Sequence, residues 1–206
     1  MWICFGKRFA DIVFSGVALV ALSPIMAVVA LLVKLESPGD VVYKGLRSGL
    51  GGTPFNILKF RTMVADAESK GGFSTAYNDP RLTKLGRFLR RFKIDEFPQF
   101  YNVLRGDMSL VGPRPQVPAY TEKYIGEEKC ILSVRPGITD FSSVHFSNLD
   151  KILGDENVDA KYLREIEPVK NKLRIKYVKE LSFCTDLTLV LWTVLALLGV
   201  KRRWNI

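Results

Sequence analysis

The sequence predicts an α+β fold that is mostly helical and membrane-associated, with one small β-hairpin. Three patterns carry this prediction: an uncharged run over residues 12–33, two extended segments around a glycine-rich turn, and amphipathic helical stretches after residue 78. We therefore divide the chain into a membrane helix over residues 1–36 and a single domain over residues 37–206.

The uncharged run contains 22 residues, and a helix needs about 20 to cross a bilayer. Ser23 and Pro24 lie in its middle, and a proline there removes a backbone donor and disturbs the preceding turn. Two geometries remain open: a kinked helix that crosses, and a broken helix that re-enters and returns to the same side. Basic residues flank both ends, which slightly favours re-entry.

The middle of the chain predicts a hairpin followed by two helices. Residues 41–43 and 54–61 are extended in pattern, and the glycines within residues 49–52 supply the turn between them. Asp79 and Pro80 predict the start of a helix that runs to about residue 92 and buries Phe88 and Phe92. A second, short helix is predicted from Asp95 onward, and Gly106 ends it.

The last forty residues predict two further helices. Residues 168–181 combine an apolar stripe with many lysines, which suits either the interface of an anionic membrane or a helix packed on the domain. Residues 187–200 are uncharged but number only 14, too few to span a bilayer. We expect an embedded or buried helix there, anchored by the basic residues that follow.

Composition excludes several classes of function. The formal net charge of +9 implies an anionic partner. Three widely spaced cysteines and a single histidine, His145, argue against a disulfide framework, a zinc site or a multi-histidine metal site. Because the chain contains no recognised nucleic-acid-binding module, we expect no nucleic-acid partner.

The candidate reactive groups are two adjacent carboxylates, Asp95 and Glu96. The ordinary explanation for an acid at a helix start is an N-cap, which contributes about 1 kcal/mol. The free N–H groups of a first helical turn also attract phosphate, so the same place suits an anionic substrate. The surrounding basic residues decide between these explanations.

Four basic residues are candidates for binding substrate phosphate. Lys59 and Arg61 alternate on one predicted strand, so both side chains point the same way. Arg114 lies between two prolines, and Arg135 precedes Pro136. An arginine fork matches phosphate oxygens, and a stiff backbone reduces the entropy lost in holding it. With the two carboxylates, these cations predict a phosphoryl-transfer site.

Six motifs occur in the order found in the bacterial sugar transferase family, the monotopic phosphoglycosyl transferases. The chain resembles the minimal catalytic unit of that family. The motifs are Lys7-Arg8-x-x-Asp11, Ser23-Pro24, Lys59-Phe60-Arg61-Thr62-Met63, Asp95-Glu96-Phe97-Pro98-Gln99, the Gly-Asp-Met-Ser-Leu-Val-Gly-Pro-Arg-Pro of residues 106–115, and Arg135-Pro136-Gly137-Ile138-Thr139. The resemblance extends over nearly the whole chain.

The resemblance implies a transfer in two steps. Asp95 would attack the sugar-bearing phosphorus of a UDP-sugar and expel UMP, and a polyprenol phosphate such as undecaprenyl phosphate would then take the phosphosugar. Glu96 would hold Mg²⁺, and Lys59, Arg61, Arg114 and Arg135 would bind phosphate. This is the first membrane step of bacterial polysaccharide, O-antigen or glycoprotein assembly, with downstream glycosyltransferases as possible partners.

The resemblance also implies a location. Ser23 and Pro24 would turn the helix back, so that residues 37–206 form a catalytic domain on the cytoplasmic face of the bacterial inner membrane. Residues 140–144 depart from the usual family pattern, which leaves the sugar unassigned. The competing hypothesis is a non-catalytic, membrane-anchored module that binds lipids or an assembly partner through its basic faces.

Overall fold

A computed structural model describes residues 5–67, 75–147 and 149–200, together with Arg202 and Trp204. The described residues form nine α-helices and four β-strands, which confirms the predicted mostly helical α+β class. The helices are α1 (Lys7–Glu36), α2 (Lys84–Arg91), α3 (Gln99–Arg105), α4 (Pro118–Thr121), α5 (Phe141–His145), α6 (Leu149–Leu153), α7 (Val158–Lys161), α8 (Glu167–Lys179) and α9 (Phe183–Leu197). The strands are β1 (Val42–Ser48), β2 (Pro54–Phe60), β3 (Ser109–Val111) and β4 (Gly137–Thr139).

The predicted hairpin is confirmed. Strands β1 and β2 pair antiparallel from Val42 opposite Phe60 to Ser48 opposite Pro54. The turn between them is a single 3₁₀ turn in which Gly51 has a φ of 66°, a conformation that costs other residues energy. The first strand is longer than the sequence predicts, because Lys44 and Gly45 interrupt its apolar pattern but not its pairing.

A second sheet, not predicted from the sequence, joins two of the motifs. Strands β3 and β4 pair in parallel, with Ser109 opposite Gly137 and Val111 opposite Thr139. The two backbones approach closely at Gly112 and Gly137, where a Cβ added to Gly137 would lie 2.1 Å from the Gly112 nitrogen. This contact requires glycine, and it places the Pro-Arg-Pro segment beside residues 137–139.

Helix α1 is continuous through Ser23 and Pro24, so the predicted break does not divide it into two helices. Pro24 has no N–H to donate to the carbonyl of Val20, and the Ser23 hydroxyl donates to that oxygen instead, at 2.8 Å. Of the helices in the described ranges, α1 alone is long and apolar enough to cross a membrane. Whether it re-enters stays a prediction.

The beginning of α1 is bound to the domain through polar contacts. Arg8 donates from its two Nη atoms to the carbonyls of Val103 at 2.6 Å and Leu104 at 2.8 Å. Asp11 is buried, and its Oδ1 accepts from the Leu110 amide at 2.9 Å and the Ser109 hydroxyl at 3.1 Å. The first motif therefore anchors α1 to α3 and β3.

The end of α1 is bound to the same domain through apolar contacts. Val29 and Val33 are buried in a cluster with Phe60 and Leu89. The Glu36 carboxylate accepts from the Leu85 amide at 2.9 Å. Between the two ends, many large apolar side chains of α1 are exposed, namely Ile12, Val13, Phe14, Val17, Val20, Ile25 and Val28.

The two C-terminal helices differ in how far their apolar faces are buried. Helix α8 is packed in the domain: Leu173 and Tyr177 belong to its core, and Arg174 is only 1% exposed. Of the two placements that the sequence leaves open for α8, the structure shows packing on the domain, which buries its apolar stripe. Helix α9 instead exposes an apolar face, which comprises Leu187, Val190, Leu191, Val194 and Leu197.

Helix α2 begins later than predicted. Its N-cap is Thr83, whose hydroxyl accepts from the Gly86 amide at 2.9 Å. The carboxylate of Asp79 is engaged by Arg81 instead, at 2.7 Å. Phe88 and Phe92 are about half exposed rather than buried, because the short helix turns only Leu89 fully into the core.

Candidate active site

The two carboxylates lie in a 3₁₀ turn that precedes α3. This turn, Ile94–Glu96, follows Lys93, which has a left-handed φ of 58°. Helix α3 begins at Gln99 and has no side-chain cap, so the predicted capping role of Asp95 is wrong. The predicted end is confirmed, because Gly106 stops the helix with a φ of 101°.

Glu96 is held between two cations. Its Oε1 accepts from Lys59 Nζ at 3.1 Å and from Arg114 Nη2 in a shorter contact. Burial alone would raise the pKa of Glu96, but the charges of Arg114 and Lys59 outweigh it and hold the pKa well below the usual range. Glu96 is therefore ionised across the whole range in which proteins work.

Asp95 is in a different environment. It is 4% exposed, and its Oδ1 has no hydrogen-bond partner among the residues that the structure describes. Burial raises the pKa of Asp95; the positive charge of Lys59 opposes this, and the charge of Glu96 adds to it. A buried carboxylate oxygen without a donor is costly in a folded protein and is a reactive, poorly solvated acceptor.

The chain fixes both cations from elements distant in sequence. Lys59 extends from β2, where it pairs with Tyr43. Arg114 follows β3, and its Nη1 donates to the Ile138 carbonyl at 2.5 Å, while its backbone N–H donates to Asp140 Oδ2 at 3.2 Å. Burial lowers the pKa of Lys59, although the charge of Glu96 partly offsets it. The parallel β3–β4 pairing thus aims Arg114 at Glu96.

The other two predicted phosphate ligands lie elsewhere. Arg61 donates to the carbonyls of Ser37 at 2.6 Å and Pro38 at 2.9 Å, just beyond the end of α1. Arg135 Nε donates to the Gly106 carbonyl at 3.0 Å, at the end of α3. Both guanidinium groups are bound to carbonyls that follow a helix, where a cation is favourable. Of the four predicted basic residues, the structure brings only Lys59 and Arg114 to the carboxylates.

Three residues near the site were not predicted as part of it. The charges of Arg90 and Lys93 both lower the pKa of Asp95. Arg90 is oriented by the hydroxyls of Thr62 at 2.9 Å and Thr75 at 2.8 Å. The sequence does contain a signal for Arg90, because it lies on the cationic face of the predicted helix before Asp95, but that face is also typical of a solvated helix.

Gln99 is the third unpredicted residue. It is fully buried, one helical turn after Asp95, and neither its amide oxygen nor its amide nitrogen has a partner among the described residues. Two unpaired polar atoms in a dry place are unusual in folded proteins. The Asp-Glu-Phe-Pro-Gln motif therefore contributes two buried polar side chains, Asp95 and Gln99, beside the partly buried Glu96.

The side chains at this site supply too few oxygen ligands to hold a divalent cation by themselves, so substrate oxygens would have to complete its coordination. Among the described residues, no three histidine, cysteine or acidic side chains converge to form a metal-binding group. Both contacts of Glu96 are to Oε1, which leaves Oε2 as a carboxylate oxygen for a cation. Mg²⁺ commonly binds proteins through one or two carboxylates plus phosphate oxygens, so Glu96 Oε2 fits that mode.

Comparisons with known proteins agree on one family. A family model described as bacterial sugar transferase matches residues 2–200. The UDP-glucose:undecaprenyl-phosphate glucose-1-phosphate transferase of Caulobacter vibrioides is 39% identical over 201 residues, which cover 96% of this chain and 72% of that protein.

Two further relatives are longer than this chain. The UDP-glucose:undecaprenyl-phosphate glucose-1-phosphate transferase of Escherichia coli (strain K12) is 41% identical over 77% of this chain, and the match covers 36% of that protein. The UDP-N-acetylgalactosamine-undecaprenyl-phosphate N-acetylgalactosaminephosphotransferase of Aeromonas hydrophila is 34% identical over 94% of this chain and 44% of that protein. The chain thus spans less than half the length of both.

Proposed function

Because the chain belongs to the bacterial sugar transferase family, we propose that it transfers a sugar 1-phosphate from a UDP-sugar to undecaprenyl phosphate through a phosphosugar on Asp95. One observation carries the proposal: a buried carboxylate oxygen without a donor lies beside an acid that two cations hold ionised. The names of the relatives support the UDP-sugar and the lipid phosphate.

In the first step an Asp95 oxygen bonds to the sugar-bearing phosphorus, and the bond from that phosphorus to the bridging oxygen breaks. The electron pair stays on the bridging oxygen, and UMP leaves. Asp95 suits this role because no donor among the described residues contacts its Oδ1. Lys59 and Arg114 stabilise the charge that spreads over the phosphoryl oxygens.

In the second step a lipid phosphate oxygen attacks the same phosphorus, and the electron pair of the P–O bond returns to Asp95. No proton has to move in either step, so the chain needs no histidine there. Lys59 and Arg114 serve both steps, because the same phosphoryl group is displaced twice in opposite directions.

We propose that Glu96 also holds Mg²⁺, together with phosphate oxygens of the donor. When bound, the cation would neutralise phosphate charge and so let one carboxylate approach an anion. Glu96 supplies a permanently charged ligand, since Arg114 and Lys59 keep its pKa low. These two cations bind Oε1, which orients the carboxyl group.

The location proposed for the protein is the cytoplasmic face of the bacterial inner membrane, with α1 re-entering the bilayer and returning. Two findings support re-entry: both ends of α1 contact one domain, and its middle exposes apolar side chains. A helix whose ends lay on opposite faces would need that domain on both sides. The exposed face of α9 would rest in the same leaflet.

The test uses the purified full chain with Mg²⁺, undecaprenyl phosphate and a panel of UDP-sugars that begins with UDP-glucose and UDP-N-acetylgalactosamine. We expect UMP release with at least one donor, and loss of release in Asp95→Asn. Glu122→Gln, an exposed carboxylate changed in the same way, is the matched control. Normal turnover by Asp95→Asn would refute the assignment of Asp95 as the nucleophile.

The covalent step is tested separately by intact mass. Without acceptor lipid, the wild-type chain should gain the mass of one phosphosugar, and Asp95→Asn should not. If no donor in the panel releases UMP while the chain binds undecaprenyl phosphate, the competing binding-module hypothesis is favoured instead.

A further inference from the structure

Lys170 is a partly buried cation outside the group of residues around Asp95. Its Nζ lies 4.9 Å from the ring centre of Tyr162 and 5.8 Å from that of Phe146. Among the described residues it has no hydrogen bond and no ion pair, and burial lowers its pKa to about 7. Aromatic faces attract a cation weakly, but they leave the ammonium group without a counterion.

The acid nearest in sequence to Lys170 is already fully engaged. Glu167 Oε1 accepts from Arg174 Nη1 at 2.9 Å. Its Oε2 accepts from the Tyr162 hydroxyl and from Gln116 Nε2, both at 2.7 Å. Asp140, the other acid whose charge acts on Lys170, accepts from the hydroxyls of Ser142 and Ser143. Neither acid forms an ion pair with Lys170 in the described chain, and charges that are removed from water are normally paired. Lys170 is therefore available as a donor to an anion.

Arg47 is a second basic residue in this part of the molecule, and its side chain hydrogen-bonds to Tyr43. It extends from β1 and is partly buried, and its Nη1 donates to the Leu46 carbonyl at 2.7 Å. It forms no ion pair with an acid in the part of the chain that the structure describes. The Ser48 amide, next to Arg47 in β1, donates to the Gln116 carbonyl at 2.9 Å, and Gln116 also contacts Tyr162, whose ring faces Lys170. Burial lowers the pKa of both Arg47 and Lys170, and the positive charge of Arg114 lowers it further.

The chain connects this region directly to the carboxylates. Arg114 contacts Glu96, and two residues later Gln116 Nε2 donates to the Tyr162 hydroxyl at 2.8 Å. The segment that carries Arg114 is therefore joined through Gln116 to Tyr162, whose ring faces Lys170. The second phosphate of a diphosphate held by Lys59 and Arg114 is accordingly the candidate anion for Lys170.

We propose that Lys170 and Arg47 bind the nucleoside-bearing phosphate of the donor and hold the nucleoside monophosphate as it leaves. This rests on the proposed function. When an Asp95 oxygen bonds to the sugar-bearing phosphorus, the electron pair of the broken bond stays on the bridging oxygen. The leaving nucleoside monophosphate thereby gains one negative charge. A nearby cation stabilises this charge as it develops in the transition state.

The experiment measures binding of UMP alone to the purified full chain by isothermal titration calorimetry, without sugar donor or lipid. We expect Lys170→Met to weaken the Kd at least tenfold and Lys170→Arg to stay within about threefold of wild type. Lys172→Met removes an exposed lysine from the same helix and should bind UMP like wild type. In turnover, Lys170→Met should raise the KM for the UDP-sugar and weaken inhibition by UMP.

The outcomes separate this site from the reaction. If wild type turns over a UDP-sugar and Lys170→Met binds UMP equally well, the site is refuted and the reaction stands. If UMP binding depends on Lys170 but no donor is turned over, the site stands and the reaction is refuted. Should Lys170→Met fail to fold by thermal unfolding, Arg47→Met takes its place, and unchanged UMP binding there refutes the proposal.

Discussion

Asp95 and Glu96 are consecutive in the chain, but their carboxylates lie in opposite electrostatic environments. Glu96 accepts from Lys59 and Arg114, which hold its pKa low. The Asp95 Oδ1 has no donor among the described residues, and burial raises the pKa of this carboxyl group. One acid is therefore stabilised in its charged form and the other is not, although a single peptide bond links them.

This difference predicts opposite effects on stability. Because the folded-state pKa of Asp95 is raised, its charged form costs stability at neutral pH, and Asp95→Asn should raise the Tm. The pKa of Glu96 is lowered, so its charge contributes stability above the unfolded-state pKa. Glu96→Gln should therefore lower the Tm, through a loss of about 1–3 kcal/mol in the free energy of unfolding. Differential scanning fluorimetry of both variants checks this. Shifts of the same sign would contradict the assignment.

The pH dependence of kcat/KM should be bell-shaped. Asp95 must be ionised to attack, so activity rises with pH through a pKa above the ordinary value of about 3.9 for aspartate. Lys59 must be protonated, so activity is lost as the pH rises through its pKa. Because burial lowers that pKa, the loss occurs at a pH below the ordinary lysine value of about 10.4. Lys170, with its pKa of about 7, titrates in between. In the Lys170→Arg variant this titration is absent from the pH profile. If activity on the acidic side of the profile rises with the ordinary pKa of aspartate, Asp95 is not a buried nucleophile.

Two arginines that the sequence treats alike should behave differently. Arg114→Met removes a cation from Glu96, and we expect kcat/KM to fall by about 10²–10³. Arg135→Met removes the contact with the Gly106 carbonyl, which in the described chain lies away from the carboxylates, and we expect a fall of less than about tenfold. UMP release at saturating lipid measures both. Equal losses would mean that Arg135 reaches the substrate.

The close approach of the β3–β4 sheet predicts intolerance to one methyl group. A Cβ at Gly137 would lie 2.1 Å from the Gly112 nitrogen, so Gly137→Ala should cost about 3 kcal/mol or more and displace Arg114. At Gly16, in α1, a Cβ meets nothing within 4 Å, and Gly16→Ala should be neutral or stabilising by up to about 1 kcal/mol. Thermal unfolding compares the two alanine variants, and similar Tm values would contradict the close approach.

Re-entry of α1 predicts that residues on both sides of it face the cytoplasm. In a chain whose three cysteines are replaced by serine, Phe5→Cys and Asp40→Cys each provide one exposed thiol. Neither should react with an impermeant maleimide in intact cells, and both should react after lysis. A periplasmic cysteine reporter serves as the labelling control. Labelling of only one position in intact cells would mean that α1 crosses the membrane.

Local signals in the sequence predicted local structure well. The hairpin followed from extended segments around glycines, and the end of α3 followed from Gly106, since both depend on neighbouring residues. The β3–β4 pairing was missed because strands of three residues carry no measurable periodicity, and their partners lie far apart in the chain. Capping by Asp95 was wrong for a related reason: a 3₁₀ turn intervenes, and it is set by Lys93 in a left-handed conformation.

The site was predictable only where neighbouring residues determine it. Asp95 and Glu96 are adjacent, so their convergence needs no tertiary information, and the prolines beside Arg114 indicated a fixed side chain. Arg61 and Arg135 have equally suggestive neighbours, but backbone carbonyls that follow helices bind them instead. Only the fold determines which guanidinium groups remain available to a substrate.

The contact between α1 and α9 has a consequence for biosynthesis. Lys7 Nζ lies 2.7 Å from Asp186 Oδ2, and the Tyr177 hydroxyl donates to the other oxygen of that carboxylate, also at 2.7 Å. Because 179 positions separate Lys7 from Asp186, a ribosome that adds about 5–20 residues per second needs roughly 10–40 s between them. Lys7 is therefore synthesised long before the carboxylate that pairs with it, and α1 gains this contact only after α9 has been translated.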